Sequence, residues 1–83
     1  MRKYTVEITF KEDDSKLIIL CDKYLINYKG EFINTYYDVI GGQKLRTIPF
    51  NLLRHIHIHN NELMKIEEDF NLWPLHFTRT INQ

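Results

Sequence analysis

Three histidines at alternate positions, His55, His57 and His59, are the side chains whose type and spacing come closest to those of a metal site. In a β-strand, alternate side chains point to the same face and lie about 7 Å apart. A Zn–N bond is only about 2.0–2.1 Å long, so one ion reaches two of these imidazoles but not three. A metal site would need two of them together with Glu67, or with His76 from a later segment.

Two other interpretations of this histidine stripe are open. The first is a solvated strand face, which is preferred because the sequence offers no second pair of ligands. The second is a pH-sensitive or partner-contacting stripe, since histidine titrates nearest to neutral pH.

The remaining residue types that support catalysis do not form a catalytic set. Cys21 is the only cysteine and lies in an apolar run, so a buried and unreactive thiol is expected. Ser15, the only serine, lies in an acidic turn. Gly41-Gly42-Gln43-Lys44 lacks the spacing of a phosphate-binding loop, and Glu12-Asp13-Asp14 lacks that of a calcium loop. The sequence therefore predicts a protein that is not an enzyme and has no cofactor.

Tyrosine and tryptophan are more numerous than a small core needs. Tyr36 and Tyr37 are adjacent, so one of them must face outward in any strand. These residue types are enriched at the energetic centres of protein interfaces. The sequence thus predicts a partner-binding set, although tyrosines that line the rim of a small β fold would look the same. This set comprises Tyr28, Tyr36, Tyr37, His57 and Trp73.

Length and charge restrict the class of protein. The chain has 83 residues, 11 basic and 11 acidic side chains, and a hydrophobic fraction of 43%. Residues 1–83 are expected to form one folded domain. A protein that works by neutralising phosphates usually has a positive excess, so a nucleic-acid partner is disfavoured. Low net charge also suits self-association, and a homodimer is a further expectation.

The sequence also contains clues to location and origin. Met1-Arg2-Lys3 is not followed by an apolar stretch of adequate length, so no signal peptide is expected, and the longest apolar run, from Leu17 to Cys21, is far too short to span a bilayer. A cytoplasmic protein without membrane contact is therefore expected. Alanine is absent, while Ile, Asn, Lys, Tyr and Phe are abundant. Such a composition is typical of an AT-rich genome and makes a phage or mobile-element protein an attractive hypothesis.

Alternation of apolar and polar residues predicts the strands that would position these side chains. Residues 4–10 alternate cleanly, and residues 17–21 are expected to return as a second strand after a loop over residues 12–15. This arrangement would pair Phe10 with Leu17, Ile8 with Ile19, and Val6 with Cys21. The second strand is apolar on both faces, because Ile18 and Leu20 join the alternate set. It is therefore expected to be covered on both sides.

Further strands are expected in the middle of the chain. A break at Asp22-Lys23, a turn at residues 29–31 and a hairpin turn at Gly41-Gly42 separate strands over residues 24–28, 32–40 and 43–48. Leu45 and Ile48 are expected to point inward. Proline cannot donate to a ladder, so one short helical turn is predicted between Pro49 and Leu53.

The histidine stripe itself is predicted to lie on a hairpin. A two-residue loop at Asn60-Asn61 gives a poor match of faces, whereas a loop over residues 60–62 places Ile58 opposite Met64 and Ile56 opposite Ile66. The second register is preferred, and those four residues then form its buried face. A short helix from Asn61 to Phe70 is the alternative.

Together these patterns predict a mainly β domain: a small antiparallel curled sheet or partly open barrel of six to seven strands. The functional hypothesis is a small, non-catalytic cytoplasmic module that binds another protein, and that inhibits or modulates a host protein if its origin is a phage. A single-stranded nucleic-acid-binding barrel, with bases stacked on tyrosines, is the first alternative. A metal-binding protein that uses the histidine stripe is the second.

Overall fold

Seven antiparallel strands and a single turn of 3-10 helix make up the fold in the computed structural model, which describes residues 2–72. The mainly β class, the strand number and the helical turn near Pro49 are confirmed. The elements in chain order are β1 (Tyr4–Phe10), β2 (Lys16–Cys21), β3 (Lys23–Asn27), β4 (Phe32–Val39), β5 (Gly42–Pro49), the 3-10 turn (Phe50–Leu52), β6 (Leu53–Asn60) and β7 (Lys65–Asn71).

The strands form two sheets that do not close into a barrel. One sheet has the order β2-β1-β6-β7, and the other has the order β3-β4-β5. The chain passes from the first sheet to the second at Asp22, where the expected break occurs. There the Asp22 amide donates to the Tyr36 carbonyl over 2.8 Å, and this hydrogen bond joins the bend to β4.

The core lies between the sheets and contains the alternating residues of β1 and β6. Burial of these aliphatic side chains is the main source of stability in so small a domain. The 3-10 turn adds Phe50, whose amide donates to the Glu31 carbonyl over 2.8 Å. The buried hydrophobic residues are Val6, Ile8, Cys21, Ile33, Ile48, Phe50, Leu53, Ile56, Ile58 and Leu72.

The pairing of β1 with β2 differs from the sequence prediction. Ile8 lies opposite Leu17 and Val6 opposite Ile19, a displacement of two residues from the expected pairs. The turn closes one step earlier than expected, because the Phe10 amide donates to the Ser15 carbonyl over 2.9 Å. A shift by an even number leaves every side chain on its predicted face.

Two predictions of burial are wrong. Ile18 and Leu20 are 53% and 51% exposed, because they lie on the outer face of the first sheet, opposite the face that packs in the core. Leu45 is exposed because it lies on the outer face of the second sheet, whereas Ile48 is buried as expected. The turn between β4 and β5 is formed by Ile40 and Gly41, and the φ of 86° at Gly41 favours glycine.

The histidine hairpin is a strand pair, not a helix, but its register was predicted wrongly. Ile58 lies opposite Glu68 and Ile56 opposite Phe70, with a bulge in β7 between the pairs formed by Ile58 and His59. Met64 and Ile66, which were expected in the core, are 76% and 57% exposed.

A longer turn explains the new register of this hairpin. The turn spans residues 61–64, and its first amides are held by the Asn60 side chain. Asn60 Oδ1 accepts hydrogen bonds from the amides of Glu62, over 3.0 Å, and Leu63, over 2.9 Å. Sequence alternation alone does not reveal such a side-chain cap.

The two registers of this hairpin are distinguished by a pair of substitutions. Ile56→Ala removes a fully buried side chain and should lower the free energy of unfolding by about 2–5 kcal/mol. Ile66→Ala, on the exposed face, should cost less than about 1 kcal/mol. Urea unfolding at neutral pH measures both values, and equal losses would contradict the register described here.

Candidate binding surfaces

The three histidines lie together on the outer face of the first sheet, as the alternation predicted. β6 is flanked by β1 and β7, so Glu7 and Asp69 lie opposite His57 on either side. His55 Nε2 donates to Asp69 Oδ1 over 2.5 Å, and His57 Nδ1 lies 3.6 Å from Asp69 Oδ2. The hydrogen bond from His55 lowers the pKa of Asp69 below its ordinary value. Asp69, which sequence reasoning did not select, is therefore the acidic partner of this stripe.

Glu67, by contrast, does not join the histidines. The bulge in β7 directs its carboxylate toward the core side of the sheet, where it accepts hydrogen bonds from Asn60 Nδ2 over 2.7 Å and from the Tyr24 hydroxyl over 2.8 Å. Within residues 2–72, no group of three or more His, Cys, Asp or Glu side chains has the arrangement of a metal site. His76, the other suggested ligand, lies outside the described residues.

The tyrosines of the predicted partner-binding set are dispersed. Tyr36 is on the outer face of the second sheet, beneath the Lys23 ammonium at 4.7 Å from its ring centroid, whereas Tyr37 is on the core-side face beneath the Arg2 guanidinium at 3.6 Å. Tyr28 packs against Phe50, with the ring centroids 6.3 Å apart. The predicted set therefore does not form one continuous surface, and Trp73 lies outside the described residues.

The Cys21 thiol has the surroundings expected of an unreactive cysteine. Its side chain is fully buried between the sheets, and this burial raises the pKa of the thiol to about 11. A thiol with so high a pKa carries almost no thiolate at neutral pH.

A groove between β2 and the β4–β5 hairpin is the surface that the sequence did not reveal. It has a volume of about 530 Å³. One wall is the edge strand β2, and the other is the part of the hairpin that extends beyond the bend at Asp22. The lining residues are Ile18, Ile19, Leu20, Cys21, Thr35, Tyr37, Lys44, Leu45 and Arg46.

The main chain of β2 directs hydrogen-bonding groups into this groove. Bonds alternate between the two sides of a strand, and three observed bonds fix the alternation. The Phe10 amide donates to the Ser15 carbonyl, so the main-chain amides and carbonyls of the odd-numbered residues in β2 point toward β1. The Asp22 amide donates to the Tyr36 carbonyl, so those of the even-numbered residues point away from β1. The bond from Asn61 to the Lys3 carbonyl gives the same alternation on the other side of β1. The amides and carbonyls of Ile18 and Leu20 therefore point away from β1, and no described strand pairs with them.

The opposite edge of the same sheet is built differently. β7 is bulged and contains Glu67-Glu68-Asp69, and bulges and charges are the usual protection of an edge against pairing with another chain. β2, with the sequence Lys-Leu-Ile-Ile-Leu-Cys, has no bulge or proline, and its one charged residue, Lys16, is at its first position. The two edges thus differ in their readiness to accept a further strand.

Comparisons with protein-family models, with curated proteins and with solved structures find no match to this chain. Among residues 2–72, no helix has the length and apolar character needed to cross a membrane.

Glu67 and Glu68, neighbours at the bulge, have pKa values shifted in opposite directions. Hydrogen bonds from Asn60 and Tyr24 lower the pKa of Glu67. Its carboxylate therefore stabilises the folded protein at pH values above the ordinary glutamate pKa, and this stabilisation is lost as the pH falls through the lowered pKa. Burial, together with the charge of Glu67, raises the pKa of Glu68. The Glu68 carboxylate therefore opposes folding once the pH rises through that raised value.

These opposite shifts give a pH-dependent prediction. When the pH is lowered from 7 to about 3, which is below the ordinary glutamate pKa, the free energy of unfolding should fall less in Glu67→Gln than in the parent protein. Glu68→Gln should lose more, because the parent gains stability when Glu68 is protonated. Urea unfolding at both pH values measures the differences. Parallel behaviour of the two variants would contradict the hydrogen-bonding scheme at the bulge.

Proposed function

We propose that the protein is a non-catalytic interaction module that binds an extended segment of another protein as an added strand beside β2. The observation that carries this proposal is the edge at Ile18 and Leu20, which no strand among residues 2–72 pairs with and which faces an open groove. Strand addition is a recurrent mode of peptide recognition, in which main-chain hydrogen bonds provide affinity and side-chain positions provide specificity.

The side chains around this edge support the proposal. Ile18 and Leu20 each expose about half of their surface on the outer face of the sheet. An added strand would cover part of that apolar surface while pairing with the main chain. Both gains come from the same short segment of β2, so a few residues of a partner are enough to obtain them.

The bend at Asp22 leaves room for such a segment. Beyond the bend, β4 lies across the groove from β2 without pairing with it, and the Asp38 amide is instead held by Asp22 Oδ2 over 2.7 Å. The neighbouring position along β2 is therefore vacant within the described residues, in line with the existing ladder. A strand entering there extends the first sheet without displacing any of its own strands.

The biological setting favoured by this proposal follows from size and composition. A small domain that covers a segment of another protein acts by occupying it, which is the mode expected of an inhibitor or modulator. We place this action in the cytoplasm, with a phage-encoded regulator of a host protein as the preferred case. A homodimer formed through the same edge is the competing use of the surface.

Substitution of proline along β2 tests strand addition. The Ile18 amide points into the groove, so Ile18→Pro removes a donor from the free edge without removing a bond to β1. It should abolish capture of the partner from a lysate of the source cells. Ile18→Lys is a second variant that charges the edge while keeping the amide, and it should weaken capture at least about tenfold, which corresponds to about 1.4 kcal/mol.

The matched control is Ile19→Pro, whose amide points toward β1. This variant should unfold or lose several kcal/mol, because it breaks a bond inside the sheet and places a ring in the core. Amide hydrogen exchange of the parent complex should show new protection at Ile18 and Leu20. If Ile18→Pro folds and still captures the same partner with no new protection, strand addition is excluded.

A further inference from the structure

We infer that the segment bound beside β2 alternates acidic and apolar side chains, with the acidic ones directed at Lys44 and Arg46. This inference rests on the proposed function and adds the chemistry of the partner. Its basis is the charge of the groove wall opposite the free edge.

Lys44 and Arg46 lie on the core-side face of the second sheet. Ile33 pairs with Ile48 on that face, and both are buried. The next pairs along the same face are Thr35 with Arg46, and Tyr37 with Lys44. The face that begins as core thus continues past the first sheet as the wall of the groove, and there its apolar residues are replaced by two cations.

These two cations are not neutralised within the described residues. Neither Lys44 nor Arg46 takes part in an ion pair or side-chain hydrogen bond among residues 2–72. The nearby acids are engaged elsewhere: Asp22 pairs with Arg2 over 2.6 Å, and Asp38 accepts from Gln43 over 2.8 Å on the outer face. The groove wall therefore has an uncompensated positive charge.

The pleat of an added strand determines which of its side chains meet that charge. The side chains on one face of the added strand would lie beside Ile18 and Leu20 and would extend the apolar outer surface of the first sheet. Side chains on the other face would project into the groove toward Lys44 and Arg46. Apolar neighbours on one face and opposite charges on the other are the pairings that stabilise adjacent strands.

A second copy of this chain does not fit both features of the groove. If it paired through β2 it would bring Lys16 and no carboxylate, and if it paired through the acidic strand β7 it would present an edge that is interrupted by a bulge. A single-stranded nucleic acid has the right charge but cannot pair with the Ile18 and Leu20 main chain as a strand does. An acidic segment of another protein satisfies both the charge and the free edge.

Two synthetic peptides test the inference on the full chain. Each has nine residues and blocked ends, and valine alternates with glutamate in one and with lysine in the other. Calorimetry at low salt should show the glutamate peptide binding at least about tenfold more tightly, and the preference should shrink as salt rises. The double variant Lys44→Glu, Arg46→Glu should reverse the preference. The control double variant Lys29→Glu, Lys65→Glu changes net charge equally away from the groove and should retain it.

The outcomes separate the inference from the proposed function. If Ile18→Pro abolishes binding of both peptides and the parent does not discriminate between them, strand addition stands and the acidic preference is overturned. If Ile18→Pro leaves the glutamate peptide bound, the charge preference survives and strand addition fails. Absence of binding by either peptide overturns both.

Competing occupants are tested with the same protein. Displacement of the glutamate peptide by a ten-nucleotide thymidine strand, with tighter binding than the peptide, would overturn the inference in favour of nucleic acid. A dimer in sedimentation equilibrium that dissociates in the Ile18→Pro variant would overturn it in favour of a second copy.

Discussion

The bend at Asp22 is the constraint on which the rest of the structure depends. Its amide donates to the Tyr36 carbonyl, and its carboxylate accepts from Arg2 and from the Asp38 amide. One residue therefore transfers the chain between sheets, anchors the start of the chain and begins the divergence of β4 from β2. Without that divergence β4 would pair along β2, and neither the groove nor the free edge would exist.

Faces could be predicted from the sequence, but registers could not. Alternation correctly placed Val6 and Ile8 in the core because the period of a strand is two, and a shift by two residues leaves the faces unchanged. The β6–β7 hairpin was predicted less well, because the cap formed by Asn60 lengthened the turn and the bulge at Glu67 changed the alternation. The cap and the bulge both involve side-chain hydrogen bonds, which the alternation of apolar and polar residues does not reveal.

The candidate site was missed for a related reason. A strand that is apolar on both faces is typical of the middle of a sheet, and the sequence therefore predicts that Ile18 and Leu20 are covered. The same pattern also fits an edge strand whose second apolar face is left for another molecule. Position in the sheet distinguishes the two cases, and position depends on the order β2-β1-β6-β7, which arises from contacts between distant parts of the chain.

The free edge of β2 also links the lifetime of the protein to the abundance of its partner. Ile19 and Cys21, on the same strand, pack into the core, so an added strand that holds β2 in place also holds the core. A ligand that binds only the folded chain raises its stability in proportion to the logarithm of free ligand over Kd. On the proposed function, unbound copies open more often and are degraded first, and the cellular level of this protein follows that of the segment it binds.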